Sequence, residues 1–529
     1  MIERFFSRQA HTITGAAIIL GAASFLSRIV GLLRDRLFTH YFGAGDILDA
    51  YYAAFRIPDF LFNLLLAGAI TVGFVPIFLE LWDKEKKVAW QVTNNILCLL
   101  AVSLGIGSLI AFLFVPQLVH LITPGFTGEK FTLTVELTRI MLLSPIILGI
   151  SGVVSGVLHA LRQFALFAFA PLIYNLGIIL GILFLVPIMG PKGLAWGVVL
   201  GACLHLLIQI PVLMGNGYRF TIMNQWYDKT VARIIRLVIP RTLGLAMLQV
   251  NFMIVDSFAS SLSAGSIAIF YLAHNLYYVP IGLIGHSFSL AAFPIFSKYI
   301  VEGKPTELVY HFARVVRQVL FLIIPCMLLM IMLRAQIVRV ALGSGKFNWA
   351  NTILTADTLA LLGISLAAHC IFLITARALF ALHDVWSTFW TSVLGVFLTT
   401  LLGFIGKEAF GIRGLAVALS FSIMMQCAVL WFILRRKIGT LGEQDIIYAL
   451  AKMSIASAGM AFTVQWLKTP IAYFVDMTRL WGILSQGLLC GMVGFFVYGL
   501  ICYVLKLEEM ELFKETFEKR WLKIWHVLE

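Results

Sequence analysis

Apolar residues in this chain come in long unbroken runs rather than in alternation with polar ones. Stretches such as "ILCLLAVSLGIGSLIAFLFV" and "GLLCGMVGFFVYGLICYVL" recur from end to end, and about 20 such residues in a helix cross a ~30 Å hydrocarbon core. Backbone groups in lipid must find partners inside their own segment, so these runs predict helices. A transmembrane barrel would show alternating segments of roughly 10 residues, and none appear. Cutting the pattern at clusters of Gly, Pro and charge gives about fourteen spans. They fall near 12–37, 47–80, 89–115, 131–160, 164–187, 193–215, 231–262, 264–298, 311–333, 352–382, 386–406, 413–435, 445–467 and 480–505. The fold class is therefore an all-α polytopic membrane protein.

An even number of spans puts both termini on one side. The same side then receives the loops holding Lys84, Lys86 and Lys87, Arg219, Lys229 and Arg233, Lys298, Lys304 and Arg314, and Arg435, Arg436 and Lys437. The positive-inside rule makes that side the cytoplasm. The opposite loops carry fewer basic residues, among them Arg334, Arg339 and Lys346.

The pattern also repeats. "LHALRQF" at 158–164 resembles "LFALHDV" at 379–385, and "GPKGLAWG" at 190–197 resembles "GIRGLAVA" at 411–418, both with an offset of 221 residues. Two motifs at one offset point to a duplication of six spans per copy, in parallel orientation, a transporter arrangement with the site between the halves. The predicted organisation is an N-terminal lobe over 1–220, a second lobe over 221–440, a further pair of spans over 441–505, and a tail over 506–529. In that tail Met510, Phe513, Phe517, Trp521, Ile524 and Leu528 keep helical spacing opposite a charged face. The tail is read either as a helix on the cytoplasmic membrane surface or as a solvated helix packed on loops.

Composition agrees with the pattern. Only 12% of the 529 residues are charged, against about 25% in soluble domains. The net charge of +13 sits at helix ends and short loops, which suits topology and anionic headgroups rather than nucleic acid. The seven cysteines lie in apolar runs without a CxxC pair and read as core residues. Arg4 and Arg8 precede an apolar run that continues to Arg28, so it is read as an uncleaved first span.

Charges inside the spans are the informative exceptions. An Arg or Asp at mid-span costs at least about 2.5 kcal/mol on insertion scales, so such residues line a cavity or pair with one another. Residues 27–63 hold Arg28, Arg34, Asp35, Arg36, Asp49, Arg56 and Asp59. Arg28 and Asp35 are seven apart and share a helix face, and Asp49 and Arg56 repeat that spacing. The functional reading is a cationic pocket for an anionic group such as a phosphate; the alternative is that some of these residues cap helices at the interface. The second half offers Asp256 in "NFMIVDSFA" and His274 and Asn275 in "YLAHNLYYVP". Asp384, with Asp256 and Thr400, is a candidate set of oxygen ligands for a monovalent cation. His205, His286 and His369 are read as hydrogen-bonded core residues. There is no P-loop, nucleophile elbow, HExxH or Rossmann fingerprint, so an enzyme is not expected, and transport energy would come from an ion gradient or the membrane potential.

These residues together resemble the MurJ/MviN family of lipid II flippases, in the multidrug/oligosaccharidyl-lipid/polysaccharide exporter superfamily. The most specific pieces are "SRIVGLLRD", "FGAGDILDAYYAAFRIPD", "GVLHALRQFALFAFAPLIYN" and "ARALFALHD". The resemblance implies two six-helix lobes around a cavity and two further C-terminal helices forming a groove for a polyprenyl tail. It also implies that Arg28, Arg34, Asp35 and Asp49 occupy cavity positions, with Ser27 and Asn175 as polar lining. Asp256, Asp384, Val396 through its carbonyl, and Thr400 match sodium-site positions, while Phe380 stands where an Asn ligand is expected. The chain departs from the family at Phe62 and Asn275, each in place of a cavity arginine, and at Ala67 in place of an acidic residue; Arg56 compensates in part. The implied function is translocation of lipid II by alternating access across the cytoplasmic (inner) membrane of a bacterium, with Arg28 and Arg34 on the diphosphate. A monomer is expected, with lipid II and membrane lipids as ligands, Na+ as a candidate coupling ion, no other cofactor, and cell-wall synthesis enzymes as candidate partners. The alternatives are a flippase for another polyprenyl-diphosphate glycan, a cation-coupled drug antiporter, a non-transporting scaffold and a lipid-linked glycosyltransferase.

Overall fold

The computed structural model describes residues 13–64, 74–221, 229–512 and 514, and among these there are helices and turns but no strand. Ten helices are long and apolar enough to cross a bilayer, or eleven if Trp349–Gly363 and Leu366–Ala381, bent by 45°, form one span. The count of fourteen is therefore not reached among the described residues. The three predicted spans that fall short are 12–37, 47–80 and 231–262, the ones richest in ionised residues. The first and last are the helices Ile13–Phe42 and Lys229–Ser260, while the described residues of 47–80 form Asp46–Ala54, Arg56–Phe62 and Val75–Lys84. Ala67 lies outside the described residues.

Two compact units make up the chain: residues up to Ile269 with Ser344–Asn348, and Phe270–Gly343 with the residues from Trp349 onward. The first unit contains α1 (Ile13–Phe42), α2 (Asp46–Ala54), α3 (Arg56–Phe62), α4 (Val75–Lys84), α5 (Lys86–Leu113), α6 (Val115–Ile122), α7 (Gly128–Met141), α8 (Leu143–Ala160), α9 (Phe164–Leu180), α10 (Lys192–Leu207) and α11 (Lys229–Ser260). The predicted division at 220 assigned α11 to the second lobe. Instead, α11 joins the first unit through an Arg56–Asp256 ion pair and a hydrogen bond from Gly125 N to Ser260 Oγ.

Small residues set the closest helix approach in this unit. A Cβ on Gly177 would meet the Gly201 Cα, and one on Gly181 would meet the Gly197 Cα. Paired GxxxG spacings let the two backbones touch, which is how helices associate where lipid removes the hydrophobic drive. Gly181–Leu185 is a π turn directly before Pro187, whose missing N–H breaks the helical ladder.

The second unit takes most of α12 (Ser266–Pro280), then α13 (His286–Val301), α14 (Pro305–Met332), α15 (Arg334–Leu342), α16 (Trp349–Gly363), α17 (Leu366–Ala381), α18 (Val385–Phe410), α19 (Ile412–Ile438), α20 (Glu443–Phe474) and α21 (Leu480–Val504). The α20–α21 hairpin packs on α14 and α15. Polar contacts fasten it: Lys468 Nζ donates to the Met332 carbonyl, Gln486 to the Lys468 carbonyl at 2.8 Å, Gln336 to Gln486 at 2.8 Å, and Tyr498 to the Phe321 carbonyl at 3.0 Å. The segment after α21 bonds to α14, where Arg317 meets Glu508 at 2.6 Å and Glu509 at 2.5 Å. Phe513, Phe517, Trp521, Ile524 and Leu528 of the tail lie outside the described residues.

The duplication is visible in backbone hydrogen bonds. At the end of α8, Arg162 N bonds to His159 O and Gln163 N to Leu158 O, with Arg162 at φ 60°. At the end of α17, His383 N bonds to Phe380 O and Asp384 N to Leu379 O, with His383 at φ 58°. This is a Schellman-type helix end, usually reserved for glycine. Two non-glycine residues adopting it 221 positions apart are the same motif made twice. Gly190 and Gly411, also 221 apart, share φ values of 61° and 58°.

Candidate functional site

The charged stretch over residues 27–63 makes three sets of polar contacts in the first unit. On α1, Arg28 and Ser27 are not sealed into the interior, and neither makes a hydrogen bond or ion pair with the described residues. Arg34, its side chain 20% exposed, is held on three sides: Nε and Nη2 donate to Asp35 Oδ1 at 3.0 and 2.8 Å, and Nη1 donates to Asn175 Oδ1 of α9 at 2.9 Å. Asn175 in turn donates to the Pro171 carbonyl at 3.0 Å. The amide is thereby oriented, with its oxygen toward the guanidinium. Arg34 is a braced fork, and Arg28 is an open one.

Asp49 and Arg56 have other partners. The Asp49 carboxylate is 1% exposed and accepts from Lys130 Nζ at 2.7 Å, from Gly265 N at 2.7 Å and from Ala268 N at 2.8 Å. Lys130 also pairs with Asp46 at 2.7 Å and lies over the Phe126 ring. Asp49 therefore caps the N-terminus of α12, satisfying two of its orphan donors and its positive dipole end. Its partners are a lysine and a helix end, and no arginine is among them. Arg56 Nε pairs with Asp256 Oδ2 at 3.0 Å, the acid fully buried, with the guanidinium over Phe252. Phe62, at one of the departures from the family, packs beside the apolar cluster of Phe74, Phe78 and Val153.

In the second unit Asn275 is half-buried on α12. Asp384 caps α18, accepting from Ser387 N and Oγ at 2.9 and 2.5 Å and pairing with Lys437 at 2.8 Å. Partial burial pulls its pKa upward, but the bonds from Lys437 and Ser387 outweigh this and leave it below the ordinary value. Thr400 donates to the Val396 carbonyl one turn earlier on α18. With Asp256 neutralised by Arg56 and Asp384 by Lys437, neither carboxylate offers a sodium ion an uncompensated charge. Among the described residues no group of three or more His, Cys, Asp and Glu suits a metal. A sodium ion at either carboxylate would have to compete with the protein cation already beside it, Arg56 at Asp256 and Lys437 at Asp384.

Sequence reasoning passed over Arg377. It lies half-buried in α17, over the Phe293 ring at 6.0 Å, with no hydrogen bond or ion pair to the described residues. Its signal in the sequence is a lone arginine inside the otherwise apolar run "IFLITARALFAL".

These features define a class before they define a family. The fold is similar to that of a solved inward-facing multidrug resistance MATE family transporter of the MOP superfamily, which matches 81% of this chain and 99% of its own, with a TM-score of 0.68 at 16% identity. The lipid II flippase MurJ family model matches residues 38–485, and the chain belongs to that family. A relative from Rhizobium tropici, described as a probable lipid II flippase MurJ, is 27% identical over 459 residues, 85% of this chain and 86% of its own. A solved lipid II flippase MurJ in an inward closed conformation matches 92% of this chain and 99% of its own, with a TM-score of 0.76 at 24% identity.

Proposed function

We propose that this chain is a flippase that moves lipid II, a lipid-linked and pyrophosphate-bearing sugar, from the inner to the outer leaflet of the cytoplasmic membrane by alternating access. The observation that carries this reading is the pair of α1 guanidiniums, Arg34 braced by Asp35 and Asn175 and Arg28 with its donors open, in a member of the MurJ family. Keeping an uncompensated arginine in a membrane span is costly unless an anionic ligand or water meets it. A diphosphate accepts paired N–H bonds from planar guanidinium forks, and a fork already oriented loses less freedom on binding. No covalent bond of the cargo changes, so the chain acts as a transporter and not as an enzyme. The α20–α21 hairpin is the groove for the apolar tail, both termini face the cytoplasm by the positive-inside pattern, and the protein works as a monomer.

The test separates the two arginines. Arg28→Ala should abolish lipid II translocation in proteoliposomes while leaving thermal stability nearly unchanged, because no hydrogen bond or ion pair to the described residues is lost. Arg377→Ala should lower translocation in the same way. Full transport by the Arg28→Ala protein would remove the basis of the mechanism.

One observation favours a second cargo. Phe62 is packed in an apolar cluster and Asn275 is neutral, so fewer fixed cations than the family norm are present. Another polyprenyl-diphosphate glycan, read more through its sugars, would suit that set. Rescue of a bacterium depleted of its own lipid II flippase decides between the two.

A further inference from the structure

Three histidines that the mechanism above does not use meet around two tyrosines in the second unit. Tyr277, fully buried on α12, has its hydroxyl 3.0 Å from Ser365 Oγ and 3.0 Å from His369 Nδ1. Tyr278 bonds to His286 Nε2 at 2.7 Å. The His274 ring lies 5.8 Å from both Tyr277 and Tyr278, and the His369 ring is 6.0 Å from the first and 6.2 Å from the second.

The distances allow one self-consistent assignment of the His369 proton. With Ser365 Oγ donating to the Leu362 carbonyl at 2.8 Å, the Tyr277 hydroxyl donates to Ser365 Oγ and its oxygen accepts from His369, so the hydrogen is assigned to Nδ1. In this assignment neutral His369 has Nε2 as its basic site. That nitrogen has no bond to the described residues, and the His369 side chain is half-buried rather than sealed.

Of the helices packed on α17, α19 carries Arg413, Cys427, Arg435, Arg436 and Lys437, and α18 carries Lys407 and Glu408. Cys370 of α17 lies against Gly285, whose added Cβ would meet its sulfur at 2.8 Å, and Cys326 comes from α14. Asp357 of α16 pairs with Arg334 and Arg413, Arg317 of α14 with Glu508 and Glu509, and His311 of α14 stacks on Tyr299 of α13. Glu307 and Arg314 stand in the first three turns of α14, Lys298 twelve residues beyond His286 on α13, and Arg377 eight residues beyond His369 on α17. Ionisable side chains inside a membrane span mark ion or proton pathways, and histidine is the side chain whose charge changes between about pH 5 and 8. Three imidazoles this close titrate as a set, because the first proton opposes the second.

We propose that His369, with His274 and His286 grouped around Tyr277 and Tyr278, is a proton-binding site inside the membrane, and that this proton is the ion coupled to transport. The site exists whatever the cargo; the coupling rests on the transporter reading above. The proton adds to Nε2 of His369 and converts a neutral cluster to a cationic one, so that protonation alters how this unit receives an anionic cargo.

The test uses the full chain in nanodiscs with 15N-labelled histidine. In the wild type, the His369 signal, assigned by its loss in His369→Gln, should report the Nδ1–H tautomer at about pH 8. It should pass to the doubly protonated form as pH falls to about 5, and Tyr277→Phe, which keeps the ring volume, should shift that midpoint or release the tautomer. A His369 that stays neutral to pH 5, or that holds its hydrogen on Nε2, overturns the site. In proteoliposomes containing a trapped pH dye, lipid II added to the wild type should drive proton movement, and His369→Gln should abolish it. Lipid II transport without proton movement overturns the coupling, whereas no lipid II transport at all counts against the cargo reading and leaves the titration to decide the site.

Discussion

Asp49 gives the sharpest quantitative expectation. Its carboxylate accepts from Lys130 Nζ, Gly265 N and Ala268 N, at 2.7, 2.7 and 2.8 Å, and it holds α2 to α7 and to the start of α12. Asp49→Ala removes all three bonds in a place water does not reach. Breaking a buried ion pair costs about 3–5 kcal/mol, and an abandoned buried N–H about 1–3 kcal/mol. These overlap rather than add, and Lys130 keeps Asp46 at 2.7 Å, so a loss of about 3 kcal/mol is expected, near the lower end. An amide at this position keeps one acceptor oxygen for a backbone N–H, so Asp49→Asn should lose less. The assay is hydrogen exchange on the purified chain, read on peptides covering 261–270. At 1.4 kcal/mol per tenfold change, exchange at Gly265 and Ala268 should accelerate by about two orders of magnitude in Asp49→Ala, with the far end of α12 protected as before. Unchanged protection at those amides in a folded Asp49→Ala protein would refute the capping role.

Three further expectations follow from the packing and the charges. Arg56→Leu should destabilise the protein by about 3–5 kcal/mol because it strands the buried Asp256 carboxylate; the double variant Arg56→Leu with Asp256→Leu should recover most of the loss in denaturant unfolding. Gly181→Ala should lower the thermal midpoint in detergent, since the new Cβ meets the Gly197 Cα and α9 must part from α10 at about 1–3 kcal/mol of overpacking. The Asp384 cap lies below the ordinary carboxylate pKa in the folded state, so its contribution is present above about pH 4 and fades as pH falls through the lowered folded value. Lys437→Met should move that fading to higher pH, as read from acid unfolding curves.

The membrane class, the helical spans and the duplication were legible because they rest on local properties. Apolar runs dictate helices wherever water is absent, and a 221-residue offset between two motifs survives as the same hydrogen-bonded helix end at Arg162 and His383. The candidate site was legible only in part. Sequence spacing placed Arg28 and Asp35 on one face of α1, which the helix Ile13–Phe42 preserves, but a one-dimensional pattern cannot say which charge meets which. Asp49 and Arg56 share a spacing, yet one caps a helix 216 residues away and the other neutralises Asp256. Asp256 and Asp384 were grouped as ion ligands because both are isolated acids, and each turned out to have a protein cation beside it.

By itself, then, the sequence determined what the solvent dictates: which segments must be helical, that they repeat, and that charges in them need a reason. Only the tertiary structure decided the partners of those charges. A buried ion's free energy depends on groups within a few ångströms, and folding brings those groups from anywhere along the chain. The same holds for His369, an ordinary apolar-face histidine in one dimension, whose ring nitrogen meets a tyrosine 92 positions away that also meets a serine on the preceding turn.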